Sequence, residues 1–120
     1  MTKKRRLELL DKAEEGAGLA LARLEKLSLS GNPDTAALAT ALLIVERNEV
    51  EDLKAIRSLV ENKPASELKS IPEEKVTLLA ALETAIDGRI QGNRLINSGL
   101  AAVTETLRSA EAIGQMISEA

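Results

Sequence analysis

Carboxylates are the most abundant residues here with chemistry to offer, and the sequence sets many of them in pairs. Glu14-Glu15, Glu51-Asp52 and Glu73-Glu74 are adjacent, and Glu83 and Asp87 lie one helical turn apart. Neighbours on a helix project about 100° apart, so adjacent carboxylates cannot flank one substrate atom as a general acid and base must. Glu83 and Asp87 share a face and could hold a cation together, but a solvated face is the better account of them. The other reactive residue types are missing: the chain has no His, Cys, Phe, Tyr or Trp. Without His there is no imidazole base, and the Glu-x-x-His pattern of metal sites in helical bundles cannot form. Without Cys there is no disulfide, thiolate nucleophile or thiolate ligand. Lys and Ser remain, yet nothing in the sequence sets one beside an activating base. Gly88-Arg89-Ile90-Gln91-Gly92 lacks the Lys-Ser/Thr that a phosphate-binding loop requires. The expectation is a protein that is not an enzyme and needs no metal or cofactor.

Charge argues similarly against nucleic acid and membranes. Lys3-Lys4-Arg5-Arg6 is a basic run, but the chain as a whole carries −3 and the remainder is more acidic still. Such a chain repels phosphates, and it has no aromatic ring on which a base could stack. A frayed, solubilising N-terminus is the plain reading of the run, since basic residues oppose the dipole of a helix start. No uninterrupted apolar run exceeds five residues, the length of Ala41–Val45, against the roughly 18–20 needed to cross a bilayer. Glu8 and Asp11 follow the basic run where a signal peptide would turn apolar. A cytoplasmic protein follows as the expectation.

The elements that must position these residues are helices. Of 120 residues, 44% are hydrophobic and 29% charged, enough for one domain with its own core. Leu10, Ala13, Ala17, Leu21, Leu24 and Leu27 recur at helical spacing and predict a first helix over about 5–28. Glu8 precedes Lys12 by one turn, the favourable order for an ion pair. Gly16 and Gly18 interrupt this helix, either as tolerated defects or as points of close approach. The connector 29–32 is punctuated by Gly31, suited to a left-handed helix end, and by Asn32 as N-cap before Pro33. A second helix is predicted over 33–61, with Leu38, Leu42, Val45, Leu53, Ile56 and Val60 as its stripe. Glu46-Arg47-Asn48-Glu49 reads as its solvated outer face. Asn62-Lys63-Pro64 ends it, and the connector 62–71 has room for one short helical turn over Ala65–Lys69.

The last segment, 72–118, opens at Pro72-Glu73-Glu74 and admits two readings. Leu79, Ile86, Leu100 and Leu107 keep a seven-residue spacing, with Leu82, Ile96, Val103, Ala110 and Ile117 as companions. Preserved phase favours a single long helix, because a turn normally resets it. The glycines between Gly88 and Asn93 favour a break that would make four helices of more equal length. The fold class is therefore an all-α, antiparallel up-and-down bundle of three long helices, the third continuous or split near Gly88–Asn93. A continuous third helix would overhang its neighbours and favour a homodimer or a partner helix; otherwise no partner is required.

Two resemblances bear on function. The aromatic-free, cysteine-free composition with capped helices resembles that of computationally designed helical bundles, whose cores are built from Leu, Ile, Val and Ala. Gly16, Gly18, Gly92 and Gly99 depart from that pattern, standing where a designer would prefer Ala. This resemblance implies a structural bundle without an evolved task. Over Leu27 to Leu107 the chain is also similar to flagellar export chaperones that escort hook–filament junction proteins. The likeness lies in Leu27-Ser28-Leu29-Ser30-Gly31-Asn32, in the proline-bearing connector Pro64–Pro72, and in Gly92-Asn93-Arg94-Leu95-Ile96. That likeness implies a long last helix holding a client's terminal helix, with Leu95, Ile96, Leu100, Val103 and Leu107 as the client-facing residues.

Overall fold

The computed structural model describes residues Met1–Ala120 and contains helices and connectors but no strand. Helix α1 spans Lys3–Leu27, α2 Pro33–Glu46, α3 Glu49–Asn62, α4 Glu73–Gln91 and α5 Leu100–Ser118, with short 3-10 turns at Ala65–Glu67 and Arg94–Asn97. The chain is an up-and-down bundle in which α2 and α3 together form the second rung. Arg57 pairs with Asp11 and Glu14 while Lys3 reaches the carbonyls of Glu61 and Lys63, which together fix α3 antiparallel to α1. Those of Arg5 with Glu83 and Lys12 with Asp87 fix α4 parallel to it.

The packing is not a square. Helices α1 and α5 form the principal interface, α3 packs against both, and α4 packs against both on the other side, with no substantial contact to α2 or α3. The molecule is correspondingly elongated, 53 × 24 × 19 Å. Because α1 touches every other helix, its buried face is unusually broad: Leu9, Leu10, Ala13, Gly16, Ala17, Ala20 and Leu24. Small residues dominate its middle, which lets neighbouring axes approach. A Cβ built on Gly16 would lie 2.7 Å from Ile86 Cγ2, whereas at Gly18 nothing lies within 4 Å. Of the two glycines, Gly16 is thus the close approach and Gly18 the tolerated defect. Gly114 in α5 is a second close approach that periodicity does not single out, with Leu53 Cδ2 2.7 Å from a Cβ built there. Nineteen apolar residues form a single buried core, and each fully buried Leu or Ile contributes roughly 1.5–3 kcal/mol.

Helix starts follow local chemistry where capping residues exist. Asn32 Oδ1 accepts from the backbone N–H of Asp34 (3.0 Å) and Thr35 (3.2 Å), and Pro33 opens α2 as predicted. Gly31, in contrast, is not left-handed: no glycine has positive φ. The connector 63–72 contains the short helical turn expected there.

Three expectations are corrected. The second helix does not run unbroken over 33–61; it breaks at Arg47–Asn48, where asparagine's low helix propensity lets the chain bend. Its stripe is also rotated in α2: Ala39 and Leu43 face the core, while Leu38 and Val45 are 58% and 74% exposed. The continuous third helix is replaced by α4 and α5, joined by Gly92–Gly99 with Asn93 left-handed at φ 49°. Periodicity missed this reversal because the connector restores the seven-residue count, so Leu79 and Ile86 in α4 and Leu107 in α5 are all buried in the core. The premise of the overhang, a continuous third helix, is thereby removed.

Candidate functional site

The basic run is docked rather than frayed. Thr2 Oγ1 caps α1 by accepting from the Arg5 N–H. Lys3 Nζ donates to the carbonyls of Glu61 and Lys63 at the end of α3 (2.7 and 2.9 Å). Arg5 forms a two-pronged pair with Glu83, both N···O distances 2.7 Å. Arg6 is buried; Nη2 donates to the Lys69 carbonyl at 2.5 Å, while Nε and Nη1 have no partner. Its pKa is lowered by that burial.

Glu83 and Asp87 do share a helix face, but side chains from α1 occupy it. Lys12 reaches Asp87 at 2.5 Å instead of pairing with Glu8, and Glu8 lies 3.5 Å from Arg5. Hydrogen bonding to Arg5 holds the Glu83 carboxyl below its ordinary range, against the opposing effect of burial.

The carboxylates that converge are others. Glu46 ends α2, Glu49 begins α3 and Glu111 lies on α5. One carboxylate oxygen of each lies within 4.8 Å of the others. Breaking the helix at Arg47–Asn48 turns Glu46 and Glu49 inward together, which corrects the solvated-face reading of Glu46–Glu49. Glu49 is only 6% exposed. Burial first, then repulsion from and hydrogen bonding to Glu111, with weaker repulsion from Glu46 and Asp52, pushes its carboxyl up to about 8. Burial and the contact with Glu111 raise Glu46 to about 7, with Arg108 pulling the other way. Beside the cluster is an open cavity of about 350 Å³ lined by Glu49, Asp52, Glu111, Gln115 and Ser118, with Leu53, Ile56 and Gly114 behind them. Grouped carboxyls of this kind share protons or bind a cation. Sequence reasoning missed them because Glu111 is distant in the chain and the helix break carries no glycine or proline.

The five residues implied by the chaperone resemblance are not presented on one open surface. Leu95, Val103 and Leu107 are buried in the core, Leu100 is half-buried and Ile96 is exposed. Leu95 and Ile96 line an apolar cavity of about 170 Å³ with Leu19 and Ile90, rimmed by Arg23, Lys26 and Arg89. The largest exposed aliphatic side chains instead include Leu38, Ile44 and Val45 on α2.

Fold and site together define an all-α up-and-down bundle with an acidic joint between α2 and α3. No family model, curated protein or solved structure matches the chain. No helix is long and apolar enough to cross a membrane.

Proposed function

We propose that this chain is a non-catalytic structural bundle, the role implied by its resemblance to designed helical proteins. One observation carries the reading: all five helices contribute to a single core of nineteen buried apolar residues. An origin by design is supported by the aromatic-free core. Buried Arg6 nitrogens without partners and the exposed aliphatics of α2 weigh against it, since both are features a designer removes. Thermal unfolding followed by circular dichroism at 222 nm separates the two origins. Idealised bundles remain folded above about 90 °C, and a midpoint near 50 °C argues for an evolved chain. An evolved chain without cysteine suits the cytoplasm.

A second reading, docking of a partner's amphipathic helix as in the export chaperones, is favoured by α2, where Ile44 and Val45 are 72% and 74% exposed. On this reading the client lies along α2, because most of the last helix's apolar face is already covered. Saturable binding of a junction-protein C-terminal helix that is lost in Ile44→Glu supports it. No binding at about tens of micromolar removes it.

A further inference from the structure

We propose that the apolar cavity between α1, α4 and the Arg94–Asn97 turn binds a medium-chain alkyl carboxylate, with the tail in the cavity and the head group on Arg23 and Lys26. The proposal goes beyond the structural role and does not depend on it.

The reversal after α4 builds the cavity. Left-handed Asn93 turns the chain so that Arg94–Asn97 packs against both α1 and α4. Leu95 and Ile96 on that turn then join Leu19 of α1 and Ile90 of α4 around a space of about 170 Å³. An apolar cavity of about 150 Å³ admits benzene, so this one has room for a ring or for roughly six or seven chain carbons. Its walls are aliphatic and the molecule has no aromatic ring to stack against, which suits an alkyl tail better than a ring. The space is not sealed, because Leu19 and Ile96 are 41% and 53% exposed. Apolar walls left in contact with water are stabilised by taking up an apolar tail.

Charge identifies the other end of the ligand. Arg23, Lys26 and Arg89 also line the cavity and no acidic residue does, although acids outnumber bases in the chain by 19 to 16. Arg89 is already engaged, donating to the Ala102 carbonyl (3.1 Å) and to the Glu105 carboxylate (2.6 Å). Arg23 and Lys26 have no carboxylate within 4.0 Å. Arg23 Nε donates to the Ser98 carbonyl at 2.8 Å, which holds the stem in place and leaves both Nη atoms without a protein partner. A guanidinium anchored in this way offers its fork to a carboxylate, and Lys26, one turn further along α1, adds a second positive charge. An alkylammonium ion of the same length would be repelled from the same rim. A small tail and a solvated head group make for weak binding, with Kd on the order of 0.1–1 mM for a ligand of about ten heavy atoms.

Isothermal titration of the full chain with sodium octanoate reads the affinity, and methyl NMR shifts locate the ligand. One octanoate per chain is expected, with shifts at the Leu19, Ile90, Leu95 and Ile96 methyls. Acetate, which lacks the tail, and octylammonium, which reverses the charge, should each bind about tenfold more weakly or not at all. Lys26→Gln and Leu19→Gln alter exposed side chains, so both variants keep the helical signal at 222 nm, yet each should weaken octanoate binding by about fivefold or more. Lys4→Gln, which removes the same charge near the other end of α1, and Ile44→Gln, on the exposed face of α2, should leave it unchanged. Absence of saturable binding up to about 10 mM octanoate, binding of octylammonium as tight as that of octanoate, or undiminished binding in both Lys26→Gln and Leu19→Gln would each overturn the proposal. Loss of binding in Ile44→Gln would also overturn it, by placing the ligand on α2.

Discussion

Gly16 in α1 and Ile86 in α4 meet so closely that a Cβ on the glycine would lie 2.7 Å from the isoleucine Cγ2. The Ile86 side chain is fully buried and has nowhere to retreat. Helix propensity alone favours Ala over Gly by about 1 kcal/mol, but overpacking a core costs about 1–3 kcal/mol. Gly16→Ala should therefore be destabilising, by about 1 kcal/mol net. Gly18→Ala, where nothing lies within 4 Å, should be stabilising by up to about 1 kcal/mol. Urea denaturation of the two variants checks the opposite signs.

Arg6 is buried with Nε and Nη1 unpartnered. Replacing a buried charge with an apolar side chain of similar length is often neutral or stabilising by about 1–4 kcal/mol. Arg6→Met should raise the urea midpoint, whereas Arg6→Ala, which leaves a cavity, should lower it. A lower midpoint for Arg6→Met than for the wild type would show that the guanidinium's bond to the Lys69 carbonyl outweighs the cost of its burial.

Stability should peak in mildly acidic solution. The Glu49 and Glu46 carboxyls are raised to about 8 and about 7 in the folded chain, so the folded state holds protons that the unfolded chain releases. Their contribution is full below the unfolded value of about 4.5 and is lost as pH rises through 7 to 8. Glu83 behaves oppositely. Arg5 lowers its folded value, so its contribution is present above about pH 4.5 and disappears as the solution is acidified further. Melting points measured from about pH 3 to 9 should trace a dome, and Glu49→Gln should flatten its alkaline side. An alkaline side unchanged in Glu49→Gln contradicts this assignment.

Asn93 holds a left-handed conformation, φ 49°, at the reversal between α4 and α5. Asparagine tolerates this region better than other side chains, and glycine best. Asn93→Ala should cost about 1 kcal/mol, and Asn93→Gly should be neutral or slightly stabilising. Both are read from thermal midpoints, with the α-helical signal at 222 nm confirming that the reversal survives.

Helix type and approximate extent were legible because they depend on local spacing. The stripe Leu10, Ala13, Ala17 and Leu24 in α1 lies in the core as read. So does the cap at Asn32, where side chain and backbone are neighbours in sequence. Failures came where two helix faces were nearly equivalent. In α2, Ala, Leu, Ile and Val occur almost all round, so periodicity could not tell Leu38–Val45 from Ala39–Leu43, and contact with α1 and α5 decided between them. The acidic joint escaped for a related reason: Glu46 and Glu49 read as a solvated face until α5 brought Glu111 against them.

By itself the order of residues determined that this chain makes amphipathic helices, where most of them begin and end, and which chemistries it lacks. Those properties follow from backbone hydrogen bonding and side-chain type within a few neighbours. Tertiary structure decided that the last segment folds back, that Arg6 and Glu49 are buried, and that α2 leaves aliphatic side chains uncovered. Each of these depends on which surface meets which. That choice minimises exposed apolar area across the whole molecule, even where a particular charge or a particular leucine is left badly placed.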